Sequence, residues 1–600
     1  MDEIKLPLRN QLPENMTWDL SVLYSSFADW EKDFARLDDL LTGFNQFQGR
    51  LGESAATLKA AIEKSDELER LSEKVYVFAH LRADEDLANN QNKSYLERAS
   101  AKFAEIGGET AWFDPEFMAL SQKTIDEYLK APELAFYRRS IEELLRERAH
   151  TLSSKEERIL AMFSDVLGSA GSTYSTLCNA DMRFPTIDDE QGRKIELSHG
   201  NYRNFLESPK REVRRTAFEA MFETHKALRN TIASTLDATV KYHVLDADLR
   251  HYDSALAASL FEDNVPESVY HALIEAVHES LPALHRYMEL RAEVMKLDSL
   301  DMYDIYNPLQ AECSLKFTYH EACELVRAAL GVMGEEYQNA LDRAFAERWI
   351  DVLECKGKRS GAYSSGCFDS NPYLLLNFNG TLNDVFTLAH ELGHSMHSYF
   401  SNKYQKYHYA NYSIFVAEVA STTAELLLHN YLMKKYQGNH EVEVYLLTHL
   451  LDEIRGTIFR QTQFAEFELK IHEISADDIP LTAEVLDKEY AALNQLYYGP
   501  AVKADALIAC EWERIPHFYY DFYVYKYATG MSAALQLSNN ILSGDAVKLT
   551  NYLNFLKAGD SMDVLDIMQM AGVDLSHPTA VKSALGLFDE IVTQLQNKLQ

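Results

Sequence analysis

The chain has few cysteines, no long apolar run and fewer basic than acidic residues. Its six cysteines in 600 residues are scattered and form no C-x-x-C pair, so we expect free thiols. No stretch approaches the roughly 20 apolar residues that a membrane span needs. The N-terminal residues lack the basic region and following apolar run of a signal peptide. We therefore expect a cytoplasmic protein that has no membrane partner.

The charge balance excludes one large class of partner. The chain carries 58 lysines and arginines against 92 aspartates and glutamates, so its formal net charge is −34. Binding to nucleic acid requires a basic face that neutralises phosphates, so we expect no nucleic-acid partner. A chain of 600 residues also exceeds what one core normally supports. We expect several domains or one large two-lobed body.

Helical periodicity dominates the first part of the chain. Trp30, Phe34, Leu37 and Leu41 recur at intervals of three or four residues, and similar patterns continue to about residue 180. The segment DMRFPTIDDEQGRKIELSHGNY then contains two short β-like runs around a turn, which predicts a hairpin. We place a boundary there, between an N-terminal helical region over residues 1–185 and a second region over residues 186–600.

The composition and the predicted secondary structure of the second region change at two places. Residues of about 350–380 are rich in glycine and serine and contain short apolar runs, which predicts a small β-sheet. Helices are predicted over about 383–436. An aromatic run within about 496–530 interrupts a pattern that is otherwise helical to the end of the chain. The expected fold class is mainly α, with one small sheet directly before the helices of 383–436.

One motif in the run TLNDVFTLAHELGHSMHSYF points to chemistry. His390, Glu391 and His394 form an H-E-x-x-H sequence, and Thr381 or Asn383 can cap the helix that carries it. Residues four apart share a helix face, so two imidazoles can bind one zinc ion while Glu391 reaches a water beside it. Gly393 is a poor helix residue, and its position suggests a close backbone approach next to the metal.

A catalytic zinc usually has three protein ligands, and the chain offers alternatives for the third. His397 lies one turn beyond His394, but a third ligand from the same short helix is geometrically awkward. The apolar segment FVAEVASTTAELLLHNYL contains Glu418 and Glu425, which are seven residues apart and share a face. One of them can bind the metal while the other hydrogen-bonds a ligand histidine, and periodicity does not separate the two.

Four segments together resemble a known family. They are similar to the oligoendopeptidase F branch of the thimet oligopeptidase family of zinc metallopeptidases, and they read GAYSSG, NPYLLLNFNGTLNDVFTLAHELGH, FVAEVASTTAE and YYGPAVKADALIACEWERIPHFYYDFYVYKYATG. The resemblance covers most of the chain after about residue 200. It implies that Glu418 is the third ligand of one zinc ion per chain. It also implies that Glu425 supports the ligands from outside.

The resemblance implies a fold and further site residues. The family has two largely helical lobes that enclose a deep central channel with the zinc at its floor, which implies short unfolded oligopeptides as substrates. By composition alone, the aromatic run is typical of a core. The family, however, uses a histidine and tyrosines of this run to bind substrate and to stabilise the transition state. His517 matches the histidine, and Tyr520 and Tyr527 match best among the tyrosines, whereas Tyr523 and Tyr525 do not align with the family's spacing.

Hydrolysis of internal peptide bonds, with Glu391 as general base, is the expected reaction. The strand near Gly361 is expected to bind the main chain of the substrate by edge pairing. A zinc exopeptidase is the first alternative, because Lys356, Lys358 and Arg359 are candidates for capturing a free terminus. The second alternative is a helical binding or scaffold protein in which the H-E-x-x-H sequence is accidental.

Overall fold

The computed structural model describes residues 6–309 and 315–599. Cys313, one of the six cysteines expected to be free thiols, lies outside the described residues. So do the first five residues, which are part of the segment considered for a signal peptide. The five described cysteines are free thiols, as expected. Across the described residues, no helix combines the length and the apolar character that crossing a membrane requires.

The described chain is built mainly from α-helices, as the periodicity predicts. In chain order these helices are α1 (Phe27–Asn45), α2 (Ala55–Asp84), α3 (Asn90–Thr110), α4 (Phe113–Met118), α5 (Gln122–Tyr128), α6 (Arg138–Glu147), α7 (Ser154–Leu167), α8 (Ser169–Thr176), α9 (His199–Leu206), α10 (Arg211–Lys226), α11 (Arg229–Leu249), α12 (Ala255–Phe261), α13 (Glu267–Met295), α14 (Tyr319–Ala329), α15 (Glu335–Ala346), α16 (Leu382–Tyr404), α17 (Ile414–Lys435), α18 (His440–Ile454), α19 (Arg460–Ala476), α20 (Ala483–Tyr498), α21 (Tyr525–Leu542), α22 (Ala546–Ala558), α23 (Val564–Ala571) and α24 (Thr579–Leu599). The helices predicted over 383–436 are α16 and α17.

The strands within residues 6–309 and 315–599 are short and form three small sheets. They are β1 (Thr186–Asp188), β2 (Lys194–Glu196), β3 (Leu300–Asp301), β4 (Ile350–Asp351), β5 (Tyr363–Ser365), β6 (Tyr373–Leu375) and β7 (Val502–Lys503). β1 and β2 pair antiparallel, which confirms the predicted hairpin, and β3 pairs parallel with β7. The predicted sheet near 350–380 has the strand order β4-β6-β5. β5 pairs antiparallel with β6, and β4 pairs parallel with it.

The chain divides into two compact units, each assembled from three segments. The first unit comprises Met1–Thr151, Leu315–Tyr431 and Leu537–Gly572. The second comprises Leu152–Ser314, Leu432–Gln536 and Val573–Gln600. The first unit therefore contains the sheet β4-β6-β5, the whole of α16 and most of α17. The boundary expected near residue 185 stays a prediction.

A buried cluster in the first unit connects its N-terminal helices to the small sheet. Trp30 and Leu37 of α1 are fully buried in this cluster, which also includes Tyr373 and Leu375 of β6. The indole N–H of Trp30 donates to the carbonyl of Val75, at 2.9 Å. The periodic apolar face predicted for α1 therefore packs in the core that supports β6, and β6 in turn supports the edge strand β5.

Candidate metal and catalytic site

The helix α16 begins with a capping box. The Thr381 side chain accepts the backbone N–H of Asp384, and the Asp384 carboxylate accepts the Thr381 N–H at 2.8 Å. This reciprocal pair satisfies amide groups that the first turn of a helix leaves without partners. The predicted cap at Thr381 is confirmed. Because the cap fixes where the helix begins, it also fixes the turns at which His390 and His394 occur.

At Gly393 the backbones of α16 and α17 approach each other closely. A methyl group added at Gly393 would lie 2.5 Å from Cα of Ser421 and 2.9 Å from the carbonyl oxygen of Ala420. Only a residue without a side chain allows this approach. The expected close backbone approach is confirmed, and its partner is α17, the helix that carries Glu418 and Glu425.

His390, His394 and Glu418 converge on one point. The Nε2 atoms of His390 and His394 lie 3.4 and 3.6 Å from Oε2 of Glu418. One ligand atom from each residue lies within 4.8 Å of the other two. Donors bound to a tetrahedral zinc at about 2.0–2.2 Å are separated by about 3.4 Å. The set of two imidazoles and one carboxylate therefore fits a zinc ion in both chemistry and spacing.

Both histidines are oriented by partners on α17. Nδ1 of His390 lies 2.6 Å from Oε1 of Glu425, and the His394 ring hydrogen-bonds the carbonyl of Ala417. An N–H on the ring nitrogen that faces each of these acceptors leaves the opposite nitrogen as a lone pair directed at Glu418. The resemblance assigned the metal-ligand role to Glu418 and the supporting role to Glu425, and this geometry fits that assignment.

The electrostatics of this cluster favour a bound cation. Burial acts to lower the pKa of His390, but the hydrogen bond to Glu425 and the charges of Glu425, Glu391 and Glu418 raise it to about 9. Burial and the charge of His390 lower the pKa of His394 to about 4. Several partly buried carboxylates therefore surround the two imidazoles, and a metal cation would neutralise them.

Glu391 lies on the same helix between the two histidines and is largely buried. The backbone N–H of Ser364 in β5 hydrogen-bonds its carboxylate. Burial, together with the charges of Glu418 and Glu425, raises the pKa of Glu391 to about 7, although the charge of His390 acts to lower it. A carboxylate that is neither strongly acidic nor fully solvated is suited to accept and return a proton near neutral pH.

The strand β5 is an edge strand, as expected. Among the described strands it pairs with β6 alone, and the Ser364 hydroxyl lies 2.8 Å from the hydroxyl of Ser395 on α16. Outward-facing backbone groups alternate along an antiparallel strand. Because the N–H of Ser364 faces Glu391, this edge of β5 is directed toward Glu391, and Ala362 and Gly366 directly flank the strand. Local sequence patterns do not predict the link between Ser364 and Glu391, because it joins a backbone amide to a side chain 27 positions away.

His397 is a neighbour of the ligand cluster and does not belong to it. The residue is 1% exposed and stacks on Tyr412, with ring centroids 3.8 Å apart and an interplanar angle of 11°. Burial lowers the pKa of its imidazole to about 3. A neutral histidine stacked between α16 and the segment before α17 acts as packing. The His397 alternative for the third ligand therefore finds no support in the geometry.

His517 and the tyrosines lie together in the second unit. The His517 ring lies 5.7 Å from Tyr520, 6.3 Å from Tyr523 and 6.0 Å from Tyr527, measured between centroids. Tyr520 is 57% exposed, whereas Tyr525 is fully buried. Tyr525 is therefore a core residue, and the other three tyrosines form a cluster around His517. Their role in catalysis stays a prediction.

A buried carboxyl group shapes the turn that carries these tyrosines. Oε1 of Glu468 accepts the backbone N–H of Phe522 at 2.7 Å, and the Ser259 hydroxyl donates to the carbonyl of Asp521 at 2.6 Å. Asp521 and Phe522 both have a left-handed backbone, with φ of 48° and 55°. This conformation is unusual for Phe and needs external support. Sequence reasoning missed this support because Glu468 lies in another helix, α19.

Two other groups of side chains among the described residues have the composition of a metal site, and both lie in the second unit. His243, His472 and Asp521 form the first. The two rings are nearly parallel, at 3°, and Nδ1 of His243 lies 3.1 Å from Nε2 of His472. Nδ1 of His472 is engaged by the Glu468 carbonyl at 2.8 Å. These contacts form a chain of hydrogen bonds, so the group does not compete with His390, His394 and Glu418.

The second group consists of Asp487, Cys510 and Glu513. Burial and the neighbouring carboxylates of Glu513 and Asp487 raise the pKa of the Cys510 thiol to about 12, so the thiol keeps its proton. Asp487 is already paired with Arg229, at 2.8 Å. A protonated thiol and a neutralised carboxylate are poor ligands. The cluster on α16 and α17 is the better metal site.

The cations considered for an exopeptidase are largely engaged. The Lys358 ammonium is fully buried and lies 2.8 Å from the Asp351 carboxylate. Arg359 pairs with Asp84 at 2.7 Å. Both side chains serve to hold the small sheet, and neither is available to capture a free chain terminus. Lys356 alone among the three is exposed without such a role.

Comparison with known proteins decides the family. The family model described as "Peptidase family M3" matches residues 204–587, more than half of the chain. The chain belongs to peptidase family M3. A second family model, described as "Oligopeptidase F", matches residues 116–184 of this M3 peptidase. The expected membership of the oligoendopeptidase F branch is confirmed.

Relatives match this M3 peptidase over nearly its whole length. Oligopeptidase PepF of Bacillus subtilis is 42% identical over 597 residues, which cover 99% of this chain and 89% of the relative. The crystal structure of oligoendopeptidase-F from Enterococcus faecium is 38% identical with a TM-score of 0.75, covering 95% and 99% of the two chains. A crystallised Chlamydophila abortus protein described as a peptidase is 36% identical with a TM-score of 0.92, covering 99% and 100%.

The family membership confirms several expectations made from the sequence. The M3 peptidase is a metalloendopeptidase with the helical zincin fold. A binding or scaffold protein with an accidental H-E-x-x-H sequence is therefore excluded.

Proposed function

We propose that this M3 peptidase is a zinc-dependent endopeptidase that hydrolyses internal bonds of short, unfolded oligopeptides. The proposal assigns one zinc ion per chain to His390, His394 and Glu418. The observation that carries it is the convergence of these three donors within 4.8 Å. Two imidazoles and one carboxylate are a donor set that catalytic zinc commonly has, with a further position left for water or substrate. The names of the relatives, oligopeptidase and oligoendopeptidase, support the substrate class.

The chain's own residues supply the proton transfers. Zinc at this position would polarise the scissile carbonyl and make the attacking water more acidic. Glu391 takes a proton from that water, because it lies between the two ligand histidines on α16 and its carboxylate is shielded from solvent. The same carboxyl group then passes the proton to the departing amine. Ser364 holds the carboxylate in place through its backbone N–H.

The edge strand β5 is the proposed support for the substrate backbone. An extended peptide that pairs with the outward groups of Ala362 and Gly366 would lie alongside Glu391. Main-chain hydrogen bonds of this type are largely indifferent to side chains, which suits a peptidase of broad range. Because such pairing requires an extended, unfolded segment, folded proteins are not expected as substrates.

His517, Tyr520 and Tyr527 are proposed as hydrogen-bond donors to the substrate and to the oxyanion of the transition state. The resemblance to the family supports this role, and each side chain carries a suitable donor. Removing one such donor lowers kcat by about 10²–10³-fold in well-studied cases. We further propose a cytoplasmic enzyme of peptide turnover, since the described cysteines are free thiols.

A blocked peptide provides the experiment. A short internally quenched peptide, with both ends blocked, is expected to be cleaved at an internal bond. Removal of metal with a chelator is expected to abolish cleavage, and added zinc is expected to restore it. His517→Ala is expected to lower kcat on the same peptide. Failure to cleave any blocked peptide, or full activity without metal, would contradict the proposal.

A further inference from the structure

The first unit contains a cavity of about 1040 Å³ next to the edge strand β5. Its wall includes Gly366, Cys367 and Phe368, the residues that directly follow β5, and Ser398, one turn beyond His394 on α16. The cavity therefore begins where β5 ends and where the metal-ligand face of α16 continues. Its volume is at the upper end of the range for ligand pockets, so it can hold several amino-acid residues.

The polar lining of this cavity has one sign of charge. Five carboxylates line it, and the described lining residues include no lysine or arginine; the carboxylates are Asp66, Glu69, Glu73, Asp114 and Asp560. Two of the five have a basic side chain as a partner, since Asp66 lies 2.9 Å from the His408 ring and Asp560 lies 3.5 Å from Arg139. The lining therefore contains more negative charge than its surroundings neutralise.

Glu69, Glu73 and Asp114 carry this excess. In the part of the chain that the structure covers, no lysine or arginine forms an ion pair with any of the three; Ser65 donates to Glu69 at 2.7 Å, and the Tyr407 hydroxyl hydrogen-bonds Glu73. Burial raises the pKa of Glu73 to about 7, and the charge of Glu69 adds to this effect. The surrounding protein atoms also raise the pKa of Asp114 by partly shielding it from water, although its side chain is still exposed at the cavity wall. A positive group inside the cavity would remove this penalty.

We propose that this cavity is a specificity pocket that selects peptides carrying a positive charge, through Glu69, Glu73 and Asp114. The proposal rests on the proposed function, because it takes the peptide along β5 and into the space beyond Gly366. The positive group is an ammonium or guanidinium, and it comes either from a lysine or arginine side chain or from the free N-terminal amine. Aromatic and aliphatic side chains between the carboxylates, such as Phe113 and Leu144, would cover the rest of the peptide.

Matched peptides test this proposal. In the first series, a blocked peptide with one arginine is compared with the same peptide carrying citrulline, which has nearly the same shape and no charge. In the second series, a peptide with a free N-terminus is compared with its acetylated form. We expect kcat/KM to be about tenfold higher for the charged member of at least one series, and the ratio to fall with added salt. The series that shows the preference identifies the source of the charge.

Variants of the cavity locate the effect. In Glu73→Gln/Asp114→Asn, the ratio of kcat/KM between the charged and neutral peptides is expected to fall from about ten to about two, because Glu69 is the only one of the three carboxylates that is left. Asp114→Asn alone is expected to give an intermediate ratio. Because Asp114 is exposed, this single variant is expected to fold, and its ratio tests the pocket if the double variant does not fold. Glu97→Gln, an exposed glutamate on α3, removes the same charge outside the cavity and is expected to leave the ratio unchanged.

The possible outcomes distinguish a failure of the specificity pocket from a failure of the proposed endopeptidase function. Normal cleavage of the neutral peptides with equal kcat/KM for charged and neutral members would overturn the specificity pocket and leave the proposed function intact. A preference that persists in both cavity variants would also overturn it. If none of the blocked peptides is cleaved, the proposed endopeptidase function itself is wrong.

Discussion

Replacing Glu391 by Gln is expected to lower kcat by about 10³-fold while the metal stays bound. General acid–base catalysis by a positioned side chain contributes about 10²–10⁴-fold. Glutamine keeps the size of the side chain and its hydrogen bond from Ser364, but it cannot accept the proton of the attacking water. Because Glu391 is not one of the three proposed ligands, the metal content is expected to equal that of the unmodified protein.

Steady-state kinetics on a blocked peptide and elemental analysis of the same preparation measure both expectations. Glu324→Gln serves as the matched control, since it removes an exposed carboxylate on α14 and is expected to change neither quantity. Turnover of Glu391→Gln at the unmodified rate would remove Glu391 as the general base. Loss of the metal in this variant would show instead that Glu391 holds the ion.

Replacing Gly393 by Ala is expected to destabilise the first unit and to weaken metal binding together. The added methyl group would lie 2.5 Å from Cα of Ser421, so backbone has to move against backbone. Overpacking of this kind costs about 1–3 kcal/mol, which exceeds the gain of about 1 kcal/mol in helix propensity. Moving α17 away from α16 also moves Glu418 away from the histidines, and we expect about tenfold weaker zinc affinity or more.

Thermal unfolding and a zinc titration with a competing chelator measure these two effects. Gly586→Ala, inside α24, is the matched control, because a methyl group there meets nothing within 4 Å. That substitution is expected to preserve zinc affinity and to raise stability slightly through helix propensity. An unfolding temperature and a zinc affinity of Gly393→Ala equal to those of the unmodified protein would contradict the close packing of α16 on α17.

Local signals in the sequence were sufficient for the elements around the site. The capping residues Thr381 and Asp384, the spacing of His390 and His394, and the glycine at 393 each depend on neighbours a few positions away. These signals predicted a cap at the start of α16, its metal-binding face and a close backbone approach at Gly393, but not that the approaching element is α17. The hairpin of β1 and β2 was predictable for the same reason, since its two strands are joined by a short turn.

Contacts between distant segments were not predictable from local patterns. Periodicity left Glu418 and Glu425 equivalent, because both lie on one face of α17, and only the resemblance to the family assigned a role to each. The backbone N–H of Ser364 at Glu391, and the Glu468 carboxyl at Phe522, join residues on separate elements. The acidic cavity is a further example, since α2, α4 and the segment after β5 contribute to it and none of them is distinctive alone.

Zinc content is the most direct test of the central claim, which is that His390, His394 and Glu418 together hold one catalytic zinc ion. Elemental analysis of the purified protein is expected to find about one zinc per chain. His394→Ala and Glu418→Ala are each expected to lose this zinc, whereas Glu324→Gln is expected to keep it. Zinc retained at one per chain in both ligand variants, or no zinc in the active unmodified protein, would contradict the claim.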